Sequence, residues 1–297
     1  FDIIARKSEK TGKVGLISGG GSGHEPSHAG FVGEGMLSAA ICGAVFTSPT
    51  PDQVLQAIKE ADEGAGVFMV IKNYSGDIMN FEMAQEMAEM EGIEVASVVV
   101  DDDIAVEDSL YTQGRRGVAG TILVHKILGD AARAGKSLTE IKALADELVK
   151  NIHTVGLALS GATVPEVGKP GFVLADDEIE FGIGIHGEPG YRKEKMQPSK
   201  DLAKELVEKL TQSVELKSGK KIGILINGMG ATPLMEQYVF ANDVAGILAT
   251  AGLEVIYKKL GNYMTSIDMA GISLTFIKLE REDWLEALNS SVATIAW

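Results

Sequence analysis

"KVGLISGGGSGHEPSH", Lys13 to His28, starts as a strand and runs into glycines and imidazoles. Its apolar head, "KVGLIS" (13–18), reads as a buried strand, and two similar runs follow: "GVFMVIKNY" (66–74) and "IEVASVVV" (93–100). Helical segments separate them. "TPDQ" (50–53) puts Thr50 at an N-cap, Pro51 at the first helical position and Gln53 three residues after the cap. "IMNFEMAQEMAEME" is amphipathic, and "SLTE" (137–140) is a second capping box, opening "IKALADELVKNI". Strands alternating with helices predict a doubly wound, mainly parallel α/β sheet.

Beyond residue 152 the texture changes. "VGLALSGATV", "GFVLADD" and "EIEFGIGIHGEPG" are strand-like with few helical signals between them, which predicts hairpins. "PSKDLAKELVEKL" is a helix. "KIGILINGMGATP" is a strand entering a glycine-rich turn, with Thr232 as N-cap and Pro233 as first residue of the next helix. "LEVIYKKLG" and "ISLTFIKLE" alternate like strands of a half-exposed sheet. The expected organisation is an α/β domain over 1–153, bearing the glycine-rich loop, and a mixed-sheet α+β domain over 154–297.

The bulk composition narrows the function. With 297 residues, 45% hydrophobic and 23% charged, the chain can bury a sizeable core. A formal charge of -15 excludes the basic footprint of non-specific nucleic-acid binding and disfavours anionic membranes. Cys42 stands alone, so no internal disulfide is possible. No apolar run reaches the ~18 residues of a membrane span, and neither a membrane span nor a signal peptide is expected. A cytoplasmic protein is expected.

Two nucleotide motifs fail. Counted from Gly19, the third glycine of G-x-G-x-x-G falls on His24; counted from Gly21 it falls on Pro26. Gly182, Gly184 and Gly187 match literally, but Pro189 and Gly190 follow where a helix should begin. "GDAARAGKS" has Gly129 one residue too far upstream for a P-loop, and Gly135 reads as a helix C-cap ahead of the Ser137 box.

In open parallel sheets ligands sit beyond the carboxyl ends of strands. That rule gathers the glycine loop with His24, the "KNYSGD" loop with Lys72 and Asp77, and Asp101 to Asp103 on one rim. His24 is a loop histidine or a site histidine. Lys72, a cation ending an apolar strand, either polarises a carbonyl or hydroxyl or pairs with a carboxylate. The three aspartates either bind a divalent cation or are solvated and cap a helix. In the second half His186 lies isolated among glycines at a strand's end, with Glu188 two residues on; an accessible imidazole there suits a nucleophile or base, or a structural turn. His125 and His153 fall in helix-like stretches and look ordinary; His28 has no assigned role.

Taken together, "LISGGGSGHEPSHAGFVGEGMLSAAICG", "FTSPTPDQ", "IKNYSGD", "VVDDDIAVEDSLYTQGRRGVAGT", "GIHGEPG", "GATPLMEQY" and "GNYMTSIDMAG" resemble the dihydroxyacetone-binding subunits of dihydroxyacetone kinases, the DhaK type, in order along nearly the whole chain. The resemblance implies that a histidine ring nitrogen, here His186, holds the ketone as a covalent hemiaminal. It implies that Gly21, Ser22, Gly23 and His24 wrap the triose, and that Lys72 and Asp77 are the matching binding residues. His24 and Asp77 would orient the substrate and act on the hydroxyl to be phosphorylated. The implied reaction is phosphorylation of dihydroxyacetone. No cofactor is expected on this chain: ADP or ATP with magnesium belongs to a separate DhaL-type subunit, recharged in many bacterial members by a phosphoprotein of the phosphotransferase system. A homodimer is also implied. Some paralogues bind the ketone without phosphorylating it and act in transcriptional control, which is the alternative.

Covalent capture makes physical sense. A triose has little apolar area to bury, so non-covalent affinity is small. A carbonyl can form the bond and glycerol cannot. The bond also fixes a hydroxyl for in-line transfer, with Asp77 as proton acceptor and His24 beside it. Addition requires His186 to be uncharged.

Overall fold

The structure, a computed structural model, describes residues 2–7, 11–109, 111–214 and 216–297. Its first sheet contains β1 (Ile3–Ala5), β2 (Gly15–Ser22), β3 (Ala39–Val45), β4 (Val67–Lys72) and β5 (Val95–Val100), in the order β1-β3-β2-β4-β5. All neighbours run parallel except β1, antiparallel on β3. Alternate residues of the buried strands point to opposite faces, and each face meets its own helices. Ile17, Met69 and Ile71 pack with α1 (Pro51–Ala61) and α2 (Ser75–Met90) through Val54, Ile58 and Phe81. Leu16, Phe68 and Val70 pack with α3 (Thr121–Arg133) and α4 (Leu138–Leu148) through Ile122, Leu123 and Ile141.

Both expected capping boxes form, at Thr50 with Gln53 and at Ser137 with Glu140. Gly135, at φ 82°, follows the end of α3 as a C-cap should. The glycines, however, belong to the strand: β2 runs through Gly19, Gly20 and Gly21 to Ser22. The reason is crowding. A Cβ on Gly19 would lie 2.6 Å from the Ile41 carbonyl oxygen, and one on Gly21 2.5 Å from the Thr47 nitrogen. Bare backbone lets β3 and its following turn close onto β2.

The second sheet is mixed. It holds β6 (Ile152–Ala158), β9 (Glu178–Phe181), β10 (Arg192–Lys195), β11 (Lys221–Gly228), β12 (Glu254–Gly261) and β13 (Gly271–Lys278), ordered β10-β9-β6-β13-β11-β12; only β11 and β12 are parallel neighbours. A separate short pair joins β7 (Thr163–Val164) and β8 (Lys169–Pro170). His153 lies in β6, not in a helix as expected, paired across from Phe276. One face packs on α5 (Ser199–Ser213) and α6 (Leu234–Thr250) through Leu206, Phe240 and Leu274. The other contributes Leu225 and Ile277 to the same core as α3. α7 (Glu282–Asn289) returns to α3, where the buried Lys126 donates to the Ala287 carbonyl. Pro233 takes the cap position of α6 with no side-chain cap; the Thr232 hydroxyl, the expected cap, donates to the Gly271 carbonyl instead. Among the described residues no helix is long and apolar enough to cross a membrane.

Candidate active site

His24 follows the end of the glycine strand by two residues, across the Gly23 turn, and is fully buried. Its loop is laced to residues 263–267: Ser27 Oγ donates to the Tyr263 carbonyl, and the Ile267 amide donates to the Gly23 carbonyl. Asn227, at the end of β11 in the "NGMGATP" run, builds that second loop. Its carboxamide accepts from the Tyr263 and Met264 amides and donates to the Met264 carbonyl. The loop then offers the Thr265 carbonyl to His24 Nδ1 at 2.8 Å. Gly23, at φ 107°, makes the turn, and a Cβ there would meet the Phe46 ring at 2.8 Å.

Facing His24 is His186, the two Nε2 atoms 3.1 Å apart. His186 lies in the loop between β9 and β10, five residues beyond the strand end, and its side chain is only 18% exposed. It is thus less accessible than the glycines around it suggested. Three rings box it: Tyr74 edge-on at 4.7 Å, Phe46 edge-on at 5.2 Å and His24 at 4.7 Å between centroids. Phe46 also stacks on His24 and adopts a left-handed φ of 53°, rare for a bulky residue. Nothing in its local sequence announced this; only the close approach of β3 to β2 puts it there.

The remaining predicted residues converge on the same place. Lys72, the last residue of β4, is 1% exposed, and its Nζ has no hydrogen-bond partner among the described residues. A Cβ on Gly20 would stand 3.0 Å from that nitrogen and 3.6 Å from Asp77 Oδ2. Asp77 sits in the first turn of α2, where the helix end favours a negative charge. Burial raises its pKa, while Lys72, a Ser48 hydrogen bond and His186 pull it back. Burial likewise lowers the Lys72 ammonium, with Asp77 and Glu188 opposing. Ser22 is half-buried and its hydroxyl donates to the Gly43 carbonyl, so it meets a ligand as acceptor.

Glu188 was visible only as a neighbour in sequence. Its buried carboxylate accepts from His186 Nδ1 at 2.9 Å and from the His186 amide at 2.9 Å. Burial works to raise this carboxyl, yet the His186 hydrogen bond and charge, together with Arg116, hold it down at about 2. The three aspartates divide. Asp101 is exposed; Asp102 accepts from the Val118 and Gly120 amides at the entry to α3 and from Thr154 Oγ1; Asp103 pairs with the buried Arg116. Among the described residues no group of three or more His, Cys, Asp or Glu is arranged to hold a metal.

His28 and His125 also prove to be less ordinary than their sequence setting, forming a second buried pair with Nδ1 and Nε2 2.9 Å apart. Burial, then the Lys72 charge, pushes His125 down to about 3, and lowers His28 well below its usual value for the same leading reasons. Each ring holds a proton less well folded than unfolded. Its contribution to stability is therefore complete above about 6.5 and is lost as pH falls toward the folded value. Between pH 7 and 5 His125 alone should remove about 2 kcal/mol of unfolding free energy. Asp102, pushed up to about 6 mainly by burial, returns about 1 kcal/mol, and His153, lowered to about 4, adds to the loss. Urea unfolding followed by circular dichroism at the two pH values checks this. The fall should shrink by about 2 kcal/mol in His125→Gln; an equal fall in the variant would be the contrary result.

Comparison with known proteins places this arrangement. Residues 2–296 match the Dak1 domain family. The chain is 70% identical, over all of its length and 90% of the relative's, to the dihydroxyacetone-binding subunit DhaK of a PTS-dependent dihydroxyacetone kinase from Lactococcus lactis. The solved structure of a dihydroxyacetone kinase operon co-activator, DhaQ, superposes with a TM-score of 0.94 at 47% identity, covering 100% of this chain and 91% of that one. The dihydroxyacetone kinase of C. freundii superposes with a TM-score of 0.90 at 37% identity, covering 99% of this chain and 53% of its own. The chain belongs to the Dak1 domain family.

Proposed function

We propose that this chain is the dihydroxyacetone-binding subunit of a phosphotransferase-system-dependent dihydroxyacetone kinase, and that His186 Nε2 holds the ketone as a hemiaminal. The observation that carries this reading is the placement of His186. It is half-buried, boxed by three rings, bound at Nδ1 by Glu188, and faced at Nε2 by His24. Lys72 and Asp77 lie within the same enclosure to receive hydroxyl and alkoxide oxygens. Gly21, Ser22 and Gly23, in the strand end and turn that lead into His24, are the residues that would wrap the triose. The phosphoryl group comes from a separate DhaL-type subunit carrying ADP or ATP with magnesium, and a homodimer is the working form.

The test is a crystal soaked with dihydroxyacetone, together with intact-protein mass spectrometry. Continuous density from His186 Nε2 to the triose carbonyl carbon is expected, with loss of the adduct in His186→Ala and no competition by glycerol. A triose lying free of the ring would overturn the covalent reading. The similarity to the DhaQ co-activator favours a second reading, a ketone sensor in transcription. A chain that forms the adduct yet gives no turnover with a DhaL-type subunit and a phosphoryl source would decide for the sensor.

A further inference from the structure

The two facing imidazoles pose a proton-counting problem. His24 Nδ1 lies 2.8 Å from the Thr265 carbonyl, which can only accept, so that nitrogen carries a hydrogen. His186 Nδ1 lies 2.9 Å from the Glu188 carboxylate, so it carries one too. Both Nε2 atoms are then the nitrogens with free lone pairs, and they stand 3.1 Å apart. A hydrogen bond between them requires that the pair hold one further proton.

Glu188 is built for this. Its side chain is 1% exposed and grips His186 twice, by ring and by backbone amide. Gly184 leaves room for it, since a Cβ there would stand 2.0 Å from Glu188 Oε2 and 2.8 Å from Arg116 Nη1. Arg116 in turn donates to the carbonyls of Gly182 at 2.6 Å and of Glu188 at 3.4 Å, so a buried cation clamps the loop at both ends. In an imidazole, the bond made by one nitrogen decides which form the other takes.

We propose that Glu188 is a positioning residue. Its carboxylate fixes the hydrogen of His186 on Nδ1 and so makes Nε2 the nitrogen that adds to the ketone. The proposal rests on the reading of His186 given above. In the addition, the Nε2 lone pair forms the bond to the carbonyl carbon. The carbon–oxygen π pair moves onto oxygen, which takes the proton held on His24 Nε2, so that His186 is itself uncharged when its lone pair attacks. The site begins with one positive charge on the ring pair and ends with one, on the alkylated His186 ring beside the Glu188 carboxylate. No other reactant is needed, and the reverse steps release the ketone.

The test has one arm without ligand and one with it. In protein carrying 15N-labelled histidine, the His186 Nδ1 signal should be that of a protonated, pyrrole-type nitrogen. In Glu188→Gln it should become in part pyridine-type, since the amide can turn its NH2 toward the ring. Dihydroxyacetone retention, read by the same spectra and by mass spectrometry, should weaken about 10–100-fold in the variant. A pyridine-type Nδ1 in the wild-type protein overturns the proposal with no variant needed. A Glu188→Gln protein that retains the ketone as wild type does overturns it as well, as does weakened retention with an unchanged Nδ1 signal. If the wild-type protein forms no adduct at all, the covalent reading of His186 fails while the Nδ1 assignment still stands or falls by itself.

Discussion

In the reconstituted kinase, Asp77→Asn is expected to lower turnover by about 10²–10⁴-fold while ketone retention changes by only a few-fold. The carboxylate has what a general base needs. It is 4% exposed, at the first turn of α2, and burial raises its pKa. Lys72 beside it keeps the ionised form available and can carry the charge that develops on the attacking oxygen. Asparagine preserves shape and removes the basic lone pair. The base acts only when ionised, so wild-type turnover should fall as pH drops through a value above that of an ordinary aspartate, and the variant should lose that limb. Steady-state assays with a saturating DhaL-type subunit separate the cases. Turnover within threefold of wild type would remove Asp77 from the chemistry, and parallel loss of rate and retention would make it a binding residue only.

Local patterns in the sequence revealed much of the first layer because they are local in cause. An apolar run such as "VFMVIK" buried on both faces, or a Thr50–Gln53 box, depends on neighbours within a turn. The strand β3, "AAICGAV", went unread because small residues give weak periodicity; it exists since β1 and β2 pair along its two edges. The rim rule collected His24, Lys72 and Asp77 together with Asp101 to Asp103, which the fold divides, and glycine spacing singled out His186. What escaped were partners far apart in the chain. Thr265 completes His24 across 241 residues, and His125 meets His28 across 97. Arg116, in "QGRRG", carries no local signal of its role, and only the folded loop shows it to be fully buried. Glu188 stands two residues from His186 in sequence, but its grip depends on a turn that doubles the loop back on itself.

Arg116→Met should lower the free energy of unfolding by about 3–5 kcal/mol. The guanidinium is fully buried and contacts Asp103 Oδ2 through Nε at 2.8 Å and Nη2 at 2.7 Å. Taking away the cation leaves Asp103 buried and uncompensated; its pKa, already raised chiefly by burial, loses the charge that opposes the rise. It also leaves the Gly182 carbonyl without a donor. Replacing both partners, Arg116→Met with Asp103→Leu, removes the stranded charge, so the double variant should recover part of the loss but not the carbonyl contacts. A double-mutant cycle by urea unfolding measures the coupling. The same cation clamps the loop that carries His186, so ketone retention should weaken in Arg116→Met even at temperatures where the variant is fully folded. If Arg116→Met unfolds within 1 kcal/mol of wild type and retains the ketone normally, then the buried pair is not what holds the His186 loop, and the Glu188 grip must suffice without it.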